Sequence, residues 1–132
     1  MNLHGWLPAR ITWRDNRPRV EWTLMGTRRL TEPFFEQTLR SHMTHPFHQL
    51  LRPDTSIEEM LEWSNSLPRV PLRGIIFHLS RCGSTLLSQQ IAALECNIVA
   101  SEPAPFNSLL LAHHRMPNLV RDVHIQWLRA MA

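Results

Sequence analysis

The chemistry-bearing side chains of this chain crowd into one short run, Ser80-Arg81-Cys82-Gly83-Ser84-Thr85. Together they suit an anion such as phosphate or sulfate. Arg81 brings a fixed positive charge and a planar fork of donors that matches phosphoryl or sulfuryl oxygens. Gly83 permits a backbone conformation or a close ligand approach that a Cβ would obstruct, and Ser84 and Thr85 set hydroxyl donors beside backbone amides. Cys82, next to Arg81, has the surroundings that lower a thiol pKa and make a nucleophile. No base is visibly placed for it, and its simpler role is that of a small loop residue. His42, His45 and His48 recur every three residues and invite a metal reading. Pro46 breaks the helical face that would unite them and no nearby carboxylate completes the set, so ordinary surface or capping histidines are favoured and no metal is expected. His113-His114 is weaker still, since adjacent helical residues point apart.

The flanking residues say how the run is held. Ile75 to Leu79 is continuously apolar but for His78, and reads as a strand covered on both faces. After the run, Leu86, Leu87, Ile91 and Leu94 recur at helical spacing. Strand, loop and helix in that order aim the loop amides and the helix N-terminus at one point, where an anion is favoured. Asn97-Ile98-Val99-Ala100-Ser101 then reads as a second parallel strand of a βαβ unit, with Glu102 at its carboxyl end. Ligands in open α/β sheets gather at those ends, so Glu102 is expected to face the same crevice as Arg81. Its competing role is to cap the next helix. The common ATP/GTP loop fits badly: Ser84 stands where its lysine belongs, His78 where its first glycine belongs, and the chain has no lysine at all.

Ser80-Arg81-Cys82-Gly83-Ser84-Thr85-Leu86-Leu87 behind an apolar strand resembles the 5′-phosphosulfate loop of the sulfotransferases, enzymes that use 3′-phosphoadenosine 5′-phosphosulfate. The likeness spans about residues 74–102, with a weaker likeness upstream to bacterial sulfotransferase-like proteins. It implies that Arg81 contacts the 5′-phosphate and bridging oxygen. It also implies that the loop, Ser80 to Thr85 with Cys82 inside it, cradles the phosphosulfate on Gly83, Ser84 and Thr85. A glutamate after the second strand is the proposed general base of some members, and the resemblance carries that role to Glu102. No metal is implied. Members also carry further parallel strands and a downstream Arg/Ser motif for the 3′-phosphate, and no such segment is visible here. The expectation is therefore an N-terminal part of a longer sulfotransferase-like protein, with the activity of these residues alone in doubt.

At 132 residues and 43% apolar composition, the chain has the means to build one core. Its 14 basic residues are all arginine and face 11 acidic ones, a net charge of +3. That modest bias suits an anionic ligand. The arginines are dispersed, and neither a basic run nor a base-reading helix supports nucleic-acid binding. Cys82 and Cys96 are separated by the loop helix, too far to bridge, so free thiols and a reducing, cytoplasmic setting are expected. No signal-like start or long apolar span supports export or membrane insertion.

Upstream, Ala9 to Arg14 and Arg19 to Leu24 alternate around Asp15-Asn16-Arg17-Pro18, which predicts an antiparallel hairpin with Ile11, Trp13, Val20, Trp22 and Leu24 inward. Met1 to Pro8 is expected to be irregular. Thr31 is expected to cap a helix from Glu32 to Arg40, with a second short helix from about Pro46. Thr55-Ser56-Ile57-Glu58 matches a capping box ahead of a helix bearing Ile57, Met60, Leu61 and Trp63. Leu67 to Leu72 is a stiff connector. Phe106 to His114 is expected to be helical, and Asn118 to cap a last helix carrying Leu119, Val123, Trp127, Leu128 and Met131. The expected fold class is α/β: a partial P-loop nucleotide-binding fold with a short parallel βαβ core over residues 70–132, preceded by an α+β extension over residues 1–69. Its incomplete sheet edge and last helix are candidate surfaces for self-association. The alternatives to a sulfotransferase are another P-loop phosphotransferase or nucleotide hydrolase, and a non-catalytic interaction fragment.

Overall fold

A computed structural model describes residues 4–44, 46–66 and 70–132. The alternating N-terminal residues form β1 (Trp6–Arg14) and β2 (Arg17–Leu24), paired antiparallel with Ile11 opposite Val20. Asp15 and Asn16 alone make the turn, with φ of 50° and 59°. Both central residues of the tightest hairpin turn need positive φ, which Asp and Asn tolerate better than other side chains. The expected four-residue turn thus shortens, and Arg17 and Pro18 pair with Arg14 and Trp13. Trp6 to Pro8, expected to be irregular, belong to β1 because Leu24 to Trp22 lie opposite them. Met1 to Leu3 fall outside the described residues.

A third strand, β3 (Asp54–Ser56), pairs antiparallel with β2 and gives the sheet order β1-β2-β3. Its side chains secure it: the Trp22 Nε1–H donates to Thr55 Oγ1 at 2.9 Å, and the Arg19 Nε–H to Asp54 Oδ2 at 3.0 Å. Arg19 holds the Asp54 carboxyl below the usual carboxylate range, chiefly by that hydrogen bond. A carboxylate depressed in the folded state contributes stability above its unfolded pKa of about 3.9 and loses it as pH falls through the folded value. Asp54→Asn should therefore be less stable than the native chain by about 0.2–1 kcal/mol at pH 7. Urea midpoints should show that gap closing below about pH 4.

β3 runs directly into α3 (Ile57–Ser66), and here the cap lies one residue beyond its expected place. Glu59 N–H donates to Ser56 Oγ at 3.1 Å while Ser56 N–H donates to Glu59 Oε2 at 2.7 Å, a reciprocal capping box. Thr55 is instead consumed by Trp22. The helix expected over residues 32–40 is α1 (Phe35–Met43), with Phe34 at its N-cap and no side-chain cap from Thr31. Its first N–H, on Phe35, is satisfied from afar by the Ser101 carbonyl at 3.0 Å, which fixes where the helix begins. α2 (Pro46–Leu50) follows as expected.

Downstream lie α4 (Ser84–Ala92), α5 (Ala104–Leu110), a 3-10 turn over Ala112–His114 and α6 (Arg121–Met131). The expected 106–114 helix thus starts earlier and splits. Val120, not Asn118, precedes α6, again without a side-chain cap. Ile11, Val20 and Trp22 of the hairpin share one core with Ile57 and Met60 of α3, Leu109 of α5, Ala112 and Trp127 of α6. A smaller cluster joins Ala9, Met25, Phe35 and Leu39. Residues on both sides of the connector at 67–72 therefore bury one another, and α6 spends Trp127 on that core. Leu67, Pro68 and Arg69 of the connector lie outside the described residues.

The expected parallel βαβ core is not present among the described residues. Residues 71–79 and 97–100 carry no strand, and among the described residues the mixed α/β fold rests on the three-stranded antiparallel sheet and six α-helices. Ile75, Ile76, Phe77, Leu79 and Ile98 are 43–89% exposed. A strand exists only through its ladder, and the apolar run gains nothing from an extended shape without a neighbour on either edge or a layer on both faces. α4 forms where expected but ends at Ala92, short of Leu94, and Leu86, Leu87 and Leu94 are exposed for the same reason. No helix among the described residues is long and apolar enough to cross a membrane.

Candidate functional site

The loop predicted to receive an anion is present between residues 79 and 85. Arg81 lies at φ 60° and Gly83 at φ 85°, with Cys82 between them at negative φ. Such alternation folds successive N–H groups into one concavity, the backbone form of an anion receptor. Gly83 takes its conformation without the cost that Arg81 carries, because a left-handed backbone disfavours any Cβ. Gly83 is also the N-cap of α4, and its carbonyl accepts the Leu87 N–H at 3.2 Å. The N–H groups of Ser84, Thr85 and Leu86 precede the first helical bond and face outward with the helix dipole behind them.

Cys82 reports on those donors. Its thiol is pulled below the ordinary cysteine range, first by the Ser84 N–H and further by the Ser84 hydroxyl and the Leu79 and Cys82 backbone. A sulfur at this position is thus favoured as an anion by Ser84, one of the residues that the resemblance assigns to a phosphosulfate. Both cysteines are free and exposed, but Cys96 Sγ meets an acceptor, Asn97 Oδ1 at 3.8 Å. Iodoacetamide at pH 7 should therefore alkylate Cys82 several-fold faster than Cys96, about in proportion to thiolate content. Mass spectrometry of the two peptides decides, and equal rates would mean that the loop donors do not reach the sulfur.

The remaining predicted residues fall around this turn. Ser80 and Thr85 are exposed, Ser84 is half-buried, and Arg81 is exposed with no hydrogen bond or ion pair among the described residues. Its guanidinium is free for an incoming anion. Glu102 comes to the same end of the molecule. It is exposed, stands at φ 51°, and its Oε1 lies 3.6 Å from His78 Nε2. The carboxyl ends of the two apolar segments meet through this pair although the segments form no ladder. Glu102 does not cap α5, whose N-cap is Pro103. His78 is the residue that sequence reasoning passed over. Its signal was a single titratable side chain inside an apolar run, at the position immediately before the loop.

The platform under the loop is fastened to the N-terminal half. Arg29 Nη2 donates to the carbonyls of Ala92, Leu94 and Asn97 at 3.2–3.3 Å, closing the C-terminal end of α4 with a cation where the dipole favours one. The Phe35 to Ser101 bond ties down the residue before Glu102. Away from the loop, His42 and His48 are buried with rings 4.8 Å apart. Both nitrogens of His42 are engaged: Nε2–H donates to Leu24 O at 2.8 Å and Nδ1 accepts from Arg28 at 3.1 Å. His42 is a structural link between α1 and the end of β2. His45 lies outside the described residues, and no group of three or more metal-ligand side chains occurs among those described. His113 and His114, expected to diverge, stack 4.0 Å apart because the 3-10 turn replaces the helix there.

No family model, curated protein or solved structure matches this chain.

Proposed function

We propose that this chain carries the 5′-phosphosulfate-binding half of a sulfotransferase, taking 3′-phosphoadenosine 5′-phosphosulfate as donor and a hydroxyl or amine as acceptor in the cytoplasm. The observation that carries this reading is the turn at residues 81–85, where alternating φ signs and first-turn amides meet, the Ser84 N–H favours the Cys82 thiolate, and Arg81 is exposed with no ion pair among the described residues. The donor supplies an activated sulfuryl group. Arg81 and the loop amides would bind its 5′-phosphate and stabilise the charge left there as the sulfuryl group departs. Glu102 would take the acceptor's proton, and its exposed carboxylate beside the loop suits that role. The 3′-phosphate has no assigned residue among those described.

A thermal-shift titration separates the readings. Adenosine 3′,5′-bisphosphate without metal should raise the melting temperature, in keeping with about 2.7 kcal/mol at a hundredfold excess over Kd. A response to Mg-ATP alone would move the assignment to a phosphotransferase or nucleotide hydrolase, against which the lack of any lysine counts. A second reading is favoured by Phe77 and Leu79, 89% and 81% exposed: a non-catalytic fragment that associates through its unpaired apolar segments. Concentration-dependent sedimentation with no nucleotide response would support it.

A further inference from the structure

Glu102 is held on its main-chain side but needs something to direct its carboxylate. Ser101 is anchored by Phe35, Pro103 opens α5, and the φ of 51° between them is a conformation that a glutamate adopts at a cost of about 1 kcal/mol. Only the side chain remains adjustable. His78 Nε2 lies 3.6 Å from Glu102 Oε1, just outside hydrogen-bond length, and no other charged group among the described residues is within ion-pair distance of either. The other ring nitrogen, Nδ1, faces the Leu79 carbonyl at 3.4 Å. Of the two ring nitrogens, Nε2 is the one that faces the carboxylate, and the Nε2–H tautomer gives it a proton to donate there. The Glu102 side chain is the more open of the two, 53% exposed against 32%, and its Oε2 has no partner among the described residues.

We propose that His78 is the positioning residue for Glu102: its Nε2–H holds Oε1 and thereby turns Oε2 toward the acceptor beside the phosphosulfate loop. This rests on the sulfuryl-transfer reading. In the step so arranged, the acceptor O–H or N–H bond breaks and its proton passes to Glu102 Oε2. The freed electron pair forms the new bond to sulfur. The bond from sulfur to the bridging oxygen breaks, and its electrons leave on the 5′-phosphate at Arg81 and the loop amides. The same arrangement explains why a histidine interrupts an otherwise apolar run at this position. A hydrophobic residue there would leave the carboxylate without a donor.

The test uses the chain of 132 residues and three readouts. By NMR at constant pH, the His78 ring resonances should move in Glu102→Gln while those of His113 and His114 stay in place, since the ring loses the carboxylate its Nε2 faces at 3.6 Å. Unchanged His78 resonances overturn the pairing. Sulfate release from 3′-phosphoadenosine 5′-phosphosulfate, with water as acceptor, should drop about tenfold in His78→Ala. His78→Gln, whose amide N–H can still reach Oε1, should recover much of that loss with KM unchanged. Equal rates in all three chains, or no release by a native chain that binds adenosine 3′,5′-bisphosphate, overturn the proposal. A native chain that does not bind the bisphosphate sinks the sulfuryl-transfer reading instead, and calorimetry with that probe tells the two failures apart.

Discussion

Arg81→Ala should weaken binding of adenosine 3′,5′-bisphosphate by about 10- to 150-fold, corresponding to the ~1.5–3 kcal/mol of hydrogen bonding to a charged group. The fold should not change, because Arg81 is exposed and touches no partner among the described residues. Alanine keeps the backbone restriction at φ 60°, so the comparison isolates the guanidinium. Arg81→Lys should fall between the two, retaining a charge but losing the fork that meets two oxygens at once. Arg81→Gly separates binding from stability: it should lose affinity like alanine yet gain up to about 1 kcal/mol in unfolding free energy by relieving the left-handed strain. Calorimetry and urea unfolding on the same samples read both quantities. Native-like affinity in Arg81→Ala would remove this side chain from the site and leave the loop amides as its only donors.

The strain at Arg81 is informative because it could not be read from residue types. Sequence patterns reveal what a segment does locally, and the local features of this chain were legible: the hairpin from its alternation, α2 from Pro46, α3 from its cap within one residue, and α4 from Leu86, Leu87 and Ile91. Non-local pairings were not. β3 is three residues long and exists because Arg19, Val20 and Glu21 lie opposite it, a relation invisible in Asp54-Thr55-Ser56 itself. The start of α1 depends on a carbonyl at Ser101, and the approach of Glu102 to His78 joins two segments far apart in the sequence. The apolar run at Ile75–Leu79 marks the converse case. Its composition announces a buried strand, but burial is a property of neighbours, and none of the described residues supplies the ladder or the covering layer. The loop survives that loss since its geometry is set by Gly83, by α4 behind it and by Arg29 clamping the far end of α4, not by a sheet.

This division of the molecule into a packed half and an exposed one makes the last prediction the sharpest test of the fold. Leu109→Ala should destabilise the chain by about 2–5 kcal/mol. Leu109 is fully buried where α5 meets β1 and α6, in the cluster that also holds Ile11, Val20, Met60 and Trp127. Truncation leaves a cavity lined by residues from several elements, which cannot all close on it. The His124 Nε2–H bond to the Leu109 carbonyl, 2.7 Å, is a main-chain contact and persists in the variant, holding α6 in place above the void. Phe77→Ser is the matched control. It removes a larger side chain, yet Phe77 is 89% exposed and the change should stay within about 0.5 kcal/mol. Urea unfolding with a constant slope reads both. If Phe77→Ser instead cost as much as Leu109→Ala, the 75–79 segment would be packed in solution, and the parallel core absent here would form through association of this chain.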